Sequence, residues 1–360
     1  MTDASAPLRR GWTTGACATA ATKAAYYALH GAGFPDPVEI ALPLGRQAAF
    51  ALACESLDDE AATAGVLKDA GDDPDVTHGA LVLATVRRAP RGTGVTFRAG
   101  RGVGTVTKPG LPLAVGEPAI NPIPRQLMRD AIAAAASDLG TPPDAIVEIA
   151  IPNGEQLAAK TMNARLGILG GLSILGTTGV VVPYSCAAWI ATIHEGIDVA
   201  RATGLRHVAG STGSTSEAAV ARAFALPDTA LIEMGDFAGG LLKYVRRHPV
   251  ERVTIAGGFA KMAKLAQGAL DLHSARSTLD LGALATLAAE RGASPALRAR
   301  IDAANSGLDA LQLAIAAGVP LADAVAHRAR QTARVVLDGA PIALDVLVID
   351  RAGSIIAHAE

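Results

Sequence analysis

The sequence predicts an α+β N-terminal domain followed by an α/β Rossmann-like domain with a mainly parallel sheet. Short β-type runs stand close together between residues 38 and 98, the pattern of a mixed or antiparallel sheet. After residue 207, strand, glycine turn and helix recur in that order, the signature of a doubly wound sheet. With 360 residues and 50% hydrophobic content, the chain is long enough to bury two cores.

The elements follow in order. Residues 16–30 are rich in alanine and read as a helix closed by Gly31. Thr13-Thr14-Gly15 stands before it, so free backbone N–H groups lie beside two hydroxyls. Val38 to Leu42 and Gln47 to Cys54 read as a hairpin turning at Pro43 to Arg46. Residues 80–88 and 95–98 are further strands, 125–137 is a helix after Pro122 to Pro124, and 147–151 is a short strand. In the second half, strands are expected at 207–209, 230–234 and 252–256, each followed by glycines and a helix. Residues 278–336 read as helical with breaks at Gly292 and Pro320, and a hairpin closes the chain around Asp350 to Gly353. The boundary falls between residues 185 and 205, giving domains 1–195 and 196–360.

Composition narrows the function. A net charge of -2 gives no general attraction to nucleic acid. Cys17, Cys54 and Cys186 lack metal-ligand spacing, so no metal is expected and a reducing compartment is. Met1 to Arg10 carry no apolar signal segment, and no run is long and apolar enough to span a bilayer. The expectation is a soluble cytoplasmic protein without membrane contact.

The most unusual segment runs from Ile151 to Gly179. It sets a few polar groups, Lys160, Asn163 and Arg165 among them, between many glycines. Glycine lets backbone approach a ligand closely, at an entropic cost. A site made mainly of main chain is expected there. Thr177-Thr178-Gly179 repeats the pattern of Thr13-Thr14-Gly15, and each tripeptide presents hydroxyls and amides suited to a carboxylate, or simply to capping. Four carboxylates crowd residues 69–75, which reads as an exposed turn or as an acid–base site around Asp72 and Asp75. Calcium-loop spacing is absent.

In the second half, loops at three strand ends are expected to converge on one crevice: Gly210, Thr212, Gly213 and Ser214; Glu233 and Asp236; Gly257 and Gly258. An acid at the second strand end suits ribose hydroxyls, with a solvated strand end as the plain alternative. Lys261 and Lys264 share a helical face. His273 is a candidate acid–base group because its ordinary pKa is near neutrality.

These residues resemble the cobalt-precorrin-5B C1-methyltransferase family, the CbiD family of corrin biosynthesis. The resemblance rests on Arg10-Gly-Trp-Thr-Thr-Gly15-Ala-Cys17, Lys68-Asp-Ala-Gly-Asp-Asp-Pro-Asp75, Gly102-Val-Gly-Thr-Val-Thr-Lys-Pro-Gly110, Gly116-Glu-Pro-Ala-Ile-Asn-Pro-Ile-Pro-Arg125, the glycine run, Gly258-Phe-Ala-Lys261-Met-Ala-Lys264 and Asp350-Arg351-Ala-Gly353. It covers nearly the whole chain. The family commonly has Gly-His-x-Gly-Lys where this chain has Gly257-Gly258-Phe-Ala260-Lys261, Thr-His-Ser where it has Leu272-His273-Ser274, and Ser-Asn-Phe-Ile-Gly where it has Gly235-Asp236-Phe-Ala-Gly239. These departures speak against an essential role for that histidine and asparagine, and leave room for a shifted substrate preference such as a metal-free precorrin.

The resemblance implies methyl transfer from S-adenosyl-L-methionine to ring carbon C1 of a cobalt-containing tetrapyrrole. The donor is expected at the three strand-end loops. Thr13, Thr14, Lys160, Asn163, Arg165, Thr177, Thr178, Lys261 and Lys264 are expected to meet the substrate, its carboxylates above all. Asp72, Asp75 and His273 are the catalytic candidates, and a homodimer is an open expectation. An NAD(P)-dependent oxidoreductase and a non-catalytic tetrapyrrole-binding protein remain the alternatives, since the first would use the same crevice and the second the same pocket.

Overall fold

Small side chains let the first helix run through the middle of the N-terminal core. In the computed structural model, which describes residues 7–360, this helix spans Thr14–Leu29. Ala16, Ala18, Ala20, Ala21, Ala24 and Ala25 are all fully buried. A helix apolar on every side belongs inside a core, and here it packs against the helix Pro122–Leu139 and the strands Ala61–Leu67 and Leu81–Arg88. The part of the Met1 to Arg10 expectation that concerns residues 1–6 lies outside the described residues.

The chain divides into two compact units, Met1–Ser185 and Cys186–Glu360. The expected boundary at 195/196 is corrected: it would cut the helix Cys186–Ala202, whose Ile193, Ile197 and Ala200 are buried in the C-terminal core.

In the N-terminal unit a five-stranded sheet has the order Cys54–Leu57, Ala61–Leu67, Leu81–Arg88, Ala145–Ala150, Val95–Ala99. Its pairs are antiparallel except the last, which is parallel. Val38–Leu42 and Arg46–Phe50 form the expected hairpin, with Cys54 moved to the main sheet. The glycine run folds back on the segment after Gly102: Gly171–Leu172 pairs parallel with Gly102–Val103, and Ile168–Leu169 pairs antiparallel with Thr105–Val106.

The C-terminal sheet has the order Leu231–Glu233, His207–Ser211, Arg252–Gly258, Ala343–Ile349, Ile355–Ala359. The first four strands are parallel and the last is antiparallel. Alternation sorts its side chains to two faces. Val208, Ile255, Val346 and Val348 join one core cluster, and Ala209, Ala256 and Leu347 join the other. The helix Ser214–Phe224 supplies Ala219 and Val220 to the second face, while Ala238–Arg247, Phe259–Ala266 and Leu321–Leu337 cover the first. Residues 281–337 form four helices, interrupted near Gly292 and Pro320 as expected and also before Gly307. The whole is an α+β fold with mixed sheets. No described helix is long and apolar enough to cross a membrane.

Candidate functional site

Chain order and sheet order together create a crevice. From His207–Ser211 the chain moves to Leu231–Glu233 on one side, then returns to Arg252–Gly258 on the other. Such a reversal leaves an opening at the carboxyl ends of the diverging strands, where open α/β sheets bind ligands. The three loops there are tied to one another. Thr212 N–H donates to Ala256 O at 3.0 Å, and Gly235 N–H donates to Ser211 O at 3.1 Å. Lys261 donates to Thr212 O at 3.2 Å and stands 3.0 Å from Asp236 Oδ1. That last pair meets as charges and not as an aligned hydrogen bond.

Gly210 is corrected from loop to strand. It lies inside His207–Ser211, and a Cβ there would come within 2.4 Å of Leu241 Cδ1. The open turn begins at Thr212 and Gly213, where a Cβ on Gly213 would meet nothing within 4 Å. Ser214 starts the following helix and is exposed. Ser211, which the sequence did not single out, is 1% exposed, and its hydroxyl has no hydrogen-bond partner among the described residues. Glu233 is exposed at the end of its strand. Gly257 ends within Arg252–Gly258, where a Cβ would press on Met262 Cε at 2.7 Å and Thr212 at 2.8 Å. Gly258 caps the next helix.

Two cations expected to face the substrate already have partners within the chain. Lys264 is buried and donates to Leu272 O at 3.0 Å, so it holds the loop after its helix. Lys261 already bridges two strand ends. His273 is exposed, and its Nδ1 accepts from Ala275 N–H at 3.2 Å within its own turn. Trp189 was also missed. It is 43% exposed, and its Nε1 donates to Glu233 O at 3.1 Å. Sequence alone does not show that the first turn of the helix after Ser185 lies beside that strand end.

The N-terminal unit gathers a second group. The strand Gly11–Trp12 pairs antiparallel with Val180–Val181, and Thr13 N–H donates to Gly179 O at 3.0 Å. The two Thr-Thr-Gly tripeptides are thus neighbours. Thr13 caps the helix, its Oγ1 accepting from Ala16 N–H at 3.2 Å, and Thr13 and Thr14 are buried while Thr177 and Thr178 are exposed. Of the exposed pair, the Thr178 hydroxyl donates to Val180 O at 3.1 Å within its own turn. The acidic segment borders the same strands: Trp12 N–H donates to Asp69 O at 2.7 Å, and Tyr184 N–H to Asp73 Oδ1 at 2.8 Å.

Within that segment each acid has a partner. Asp72 accepts from Arg9 N–H at 2.6 Å. The hydrogen bond from Arg9 pulls the Asp69 carboxyl down to about 2. Asp75 pairs with the buried Lys68 and with Thr77. Burial pushes its pKa up, and the Lys68 charge and hydrogen bonds more than reverse that, so Asp75 stands as a paired carboxylate. Burial also lifts the Cys17 thiol to about 12, which removes it as a nucleophile at neutral pH.

Many glycines of the run serve internal packing. Gly102, Gly154 and Gly171 meet backbone to backbone, with no space for a Cβ at any of them. Asn163 is buried and bonds to Gly171 O at 3.3 Å and Ser173 Oγ at 3.4 Å, so its amide is engaged within the run. Lys160 is exposed and Arg165 half-buried. Lys108, unnoticed as a site residue, reaches Arg165 O at 3.3 Å and lays its stem over Gly167. A separate groove of about 490 Å³, lined by Lys23, Leu42, Gln47, Ile123 and Asp130 among others, contains none of these residues.

Residues 1–183 match the family model described as CbiD, and residues 271–360 match the model described as CbiD, C-terminal domain. The chain is 62% identical over 352 residues to a cobalt-precorrin-5B C(1)-methyltransferase of Bradyrhizobium sp., covering 98% of this chain and 94% of that one. It is 61% identical to the protein of the same description in Paramagnetospirillum magneticum, covering 98% of each. With that of Brucella anthropi it shares 57% over 353 residues, covering 98% of this chain and 96% of the relative. It is also similar to a crystal structure of the cobalamin biosynthesis protein CbiD from Archaeoglobus fulgidus, at 27% identity and a TM-score of 0.40, over 75% of this chain and 83% of that one. Matched in both halves and along nearly its whole length, the chain belongs to the CbiD family, that of the cobalt-precorrin-5B C(1)-methyltransferases.

Proposed function

We propose that this chain transfers a methyl group from S-adenosyl-L-methionine to C1 of cobalt-precorrin-5B, giving cobalt-precorrin-6A in cobalamin biosynthesis. The observation that carries the reading is identity of 57% to 62% along 98% of the chain with proteins of that description. The C-terminal unit is read as a Rossmann-like donor-binding domain and the N-terminal unit as the substrate domain.

The C-terminal strand ends fit a nucleoside-containing donor. Ser211 keeps a buried hydroxyl without a partner, the turn at Gly213 is open, and Glu233 offers a carboxylate at the neighbouring strand end. Ser211, Thr212, Gly213 and Ser214 would hold the polar part of the donor, and Glu233 its ribose hydroxyls. The bound donor supplies a methyl group already activated on sulfonium. The protein's own work is then to bind, orient and exclude water.

Lys160, Arg165 and Lys108 are the cations assigned to the tetrapyrrole carboxylates, with Thr177 and Thr178 as added donors. Proton balance on the ring is assigned to Asp72, the acid–base candidate of the N-terminal unit with an exposed side chain. With this reading go a cytoplasmic site of action and a homodimer, the latter read by light scattering.

The test is mass spectrometry of the tetrapyrrole after incubation with purified protein and S-adenosyl-L-methionine. A gain of one methyl group is expected. Binding of the macrocycle without that gain overturns the enzymatic reading in favour of a carrier. Turnover that needs NAD(P) and transfers no methyl overturns it in favour of an oxidoreductase.

A further inference from the structure

Trp189 stands in the first turn of the helix Cys186–Ala202, where an indole 43% exposed is held in a fixed position. Its Nε1 donates to the main-chain carbonyl of Glu233 at 3.1 Å. Its ring rests on Gly235. A Cβ at that glycine would lie 3.3 Å from Cε2, Cζ2 and Nε1 alike, and the backbone there has φ +58. Glycine thus supplies both the turn and the clearance for the ring. Three equal distances to adjacent ring atoms place that Cβ position against the Nε1–Cε2–Cζ2 edge of the indole. The backbone thus seats this edge of the ring, and at 43% exposure part of the indole surface stays open to a ligand.

A single residue, Glu233, fixes this ring through its carbonyl and presents an exposed carboxylate at the same strand end. A nucleoside bound by its ribose hydroxyls to such a carboxylate carries its base only a few bonds away. The base then falls within reach of the ring that the same residue anchors. Purine faces stack well on indole, and such stacking needs no hydrogen-bond code.

We propose that Trp189 is the stacking platform for the adenine of the methyl donor. The proposal rests on the reading that the donor binds at the C-terminal strand ends. It makes Trp189 a binding residue that sets affinity for the nucleoside part, whereas the methyl transfer itself takes place elsewhere on the ligand. Gly235 becomes a positioning residue, because a side chain there would push the ring off its seat.

The experiment uses the full chain and S-adenosylhomocysteine, which binds without reacting. The sequence has two tryptophans, Trp12 and Trp189, so intrinsic fluorescence reports on few sites. In the wild type, S-adenosylhomocysteine is expected to quench the emission. Trp189→Phe should abolish the quench and raise Kd only about threefold, since a phenyl ring still stacks. Trp189→Ala should raise Kd about tenfold or more by calorimetry. Adenosine alone should show the same dependence on residue 189. Melting curves of both variants verify that they fold, and the phenylalanine variant keeps the test decisive where the alanine variant is unstable. Equal S-adenosylhomocysteine affinity in wild type and Trp189→Ala overturns the proposal while leaving the donor site standing. Loss of tetrapyrrole affinity with donor affinity intact overturns it in favour of the macrocycle. Failure of the wild type to bind S-adenosylhomocysteine at all overturns the donor-site reading itself.

Discussion

Lys68 and Asp75 form an ion pair inside the acidic turn, with the lysine side chain 2% and the carboxylate 22% exposed. The four carboxylates of residues 69–75 are thus not a free acidic patch. Lys68, the Arg9 side chain and the backbone N–H groups of Arg9, Gly71, Thr77 and Tyr184 take them up. This pairing decides how substitutions in the turn should behave.

Asp75→Ala leaves an ammonium group buried without its counter-charge. Removing one partner of a buried pair costs about 3 kcal/mol or more, since the remaining charge stays desolvated. The denaturant midpoint should fall clearly with an unchanged slope. Asp72→Ala, at an exposed side chain, should lose far less stability but reduce turnover. Equal stability losses in the two variants would contradict the reading of Asp75 as the carboxylate that neutralises buried Lys68, and unchanged turnover in Asp72→Ala would return Asp72 to an exposed turn.

Asp345 gives a pH-dependent case. Its side chain is 2% exposed and accepts from Arg252 at 2.6 and 2.8 Å, with His358 Nε2 at 3.2 Å. Burial raises its pKa, but the hydrogen bonds to Arg252 and His358 and their charges leave it lowered on balance. A carboxyl with a depressed folded pKa stabilises above its unfolded value, near 4, and loses that contribution as pH falls through the folded value. Asp345→Asn should therefore melt below the wild type at pH 7, with the gap narrowing below about pH 4. Asp345, His358 and Glu360 lie close enough to hold a metal ion, yet Arg252 already occupies both Asp345 oxygens. EDTA should leave the melting temperature unchanged.

Glu195 has the opposite sign. Burial, and then the charge of Asp198, raise its pKa. The charged form is therefore penalised in the fold once pH exceeds the unfolded value, near 4.3. Glu195→Gln should raise the melting temperature at pH 8, and the gain should vanish below about pH 4. A gain that persists in acid would point to packing and not to ionisation.

What the sequence revealed and what it hid follow from the kind of signal each residue leaves. The helix Thr14–Leu29 was legible because Thr13 is a capping residue followed by an alanine run. The three strand-end loops were legible as glycine turns, but Gly210 was misread because glycine also occurs where a neighbour fills the Cβ position, here Leu241. Lys264 looked like a surface charge because spacing on a helix does not say which face is buried. Helix Cys186–Ala202 opens after Ser185, a capping residue type, but that local signal does not reveal that Trp189 contacts two residues of the crevice. Tertiary closeness, such as that of Thr13 to Gly179, leaves no local mark at all.

Ser211 offers the sharpest separation of fold from function. A buried hydroxyl without a partner costs about 1 to 3 kcal/mol relative to a satisfied one. Its retention at the end of a central strand therefore works against the ligand-free fold. Ser211→Ala removes the orphaned group along with one small polar atom, so the melting temperature without ligand should stay level or rise. If the hydroxyl is kept to bond the donor, the same change should lose about one hydrogen bond, roughly fivefold in affinity. Ligand that binds only the native state raises the melting temperature in proportion to RT ln(1 + [L]/Kd). The stabilisation by S-adenosylhomocysteine should accordingly be smaller in Ser211→Ala than in the wild type at equal concentration. A lower melting temperature without ligand, together with an unchanged ligand-induced shift, would instead make Ser211 a packing residue and remove it from the donor site.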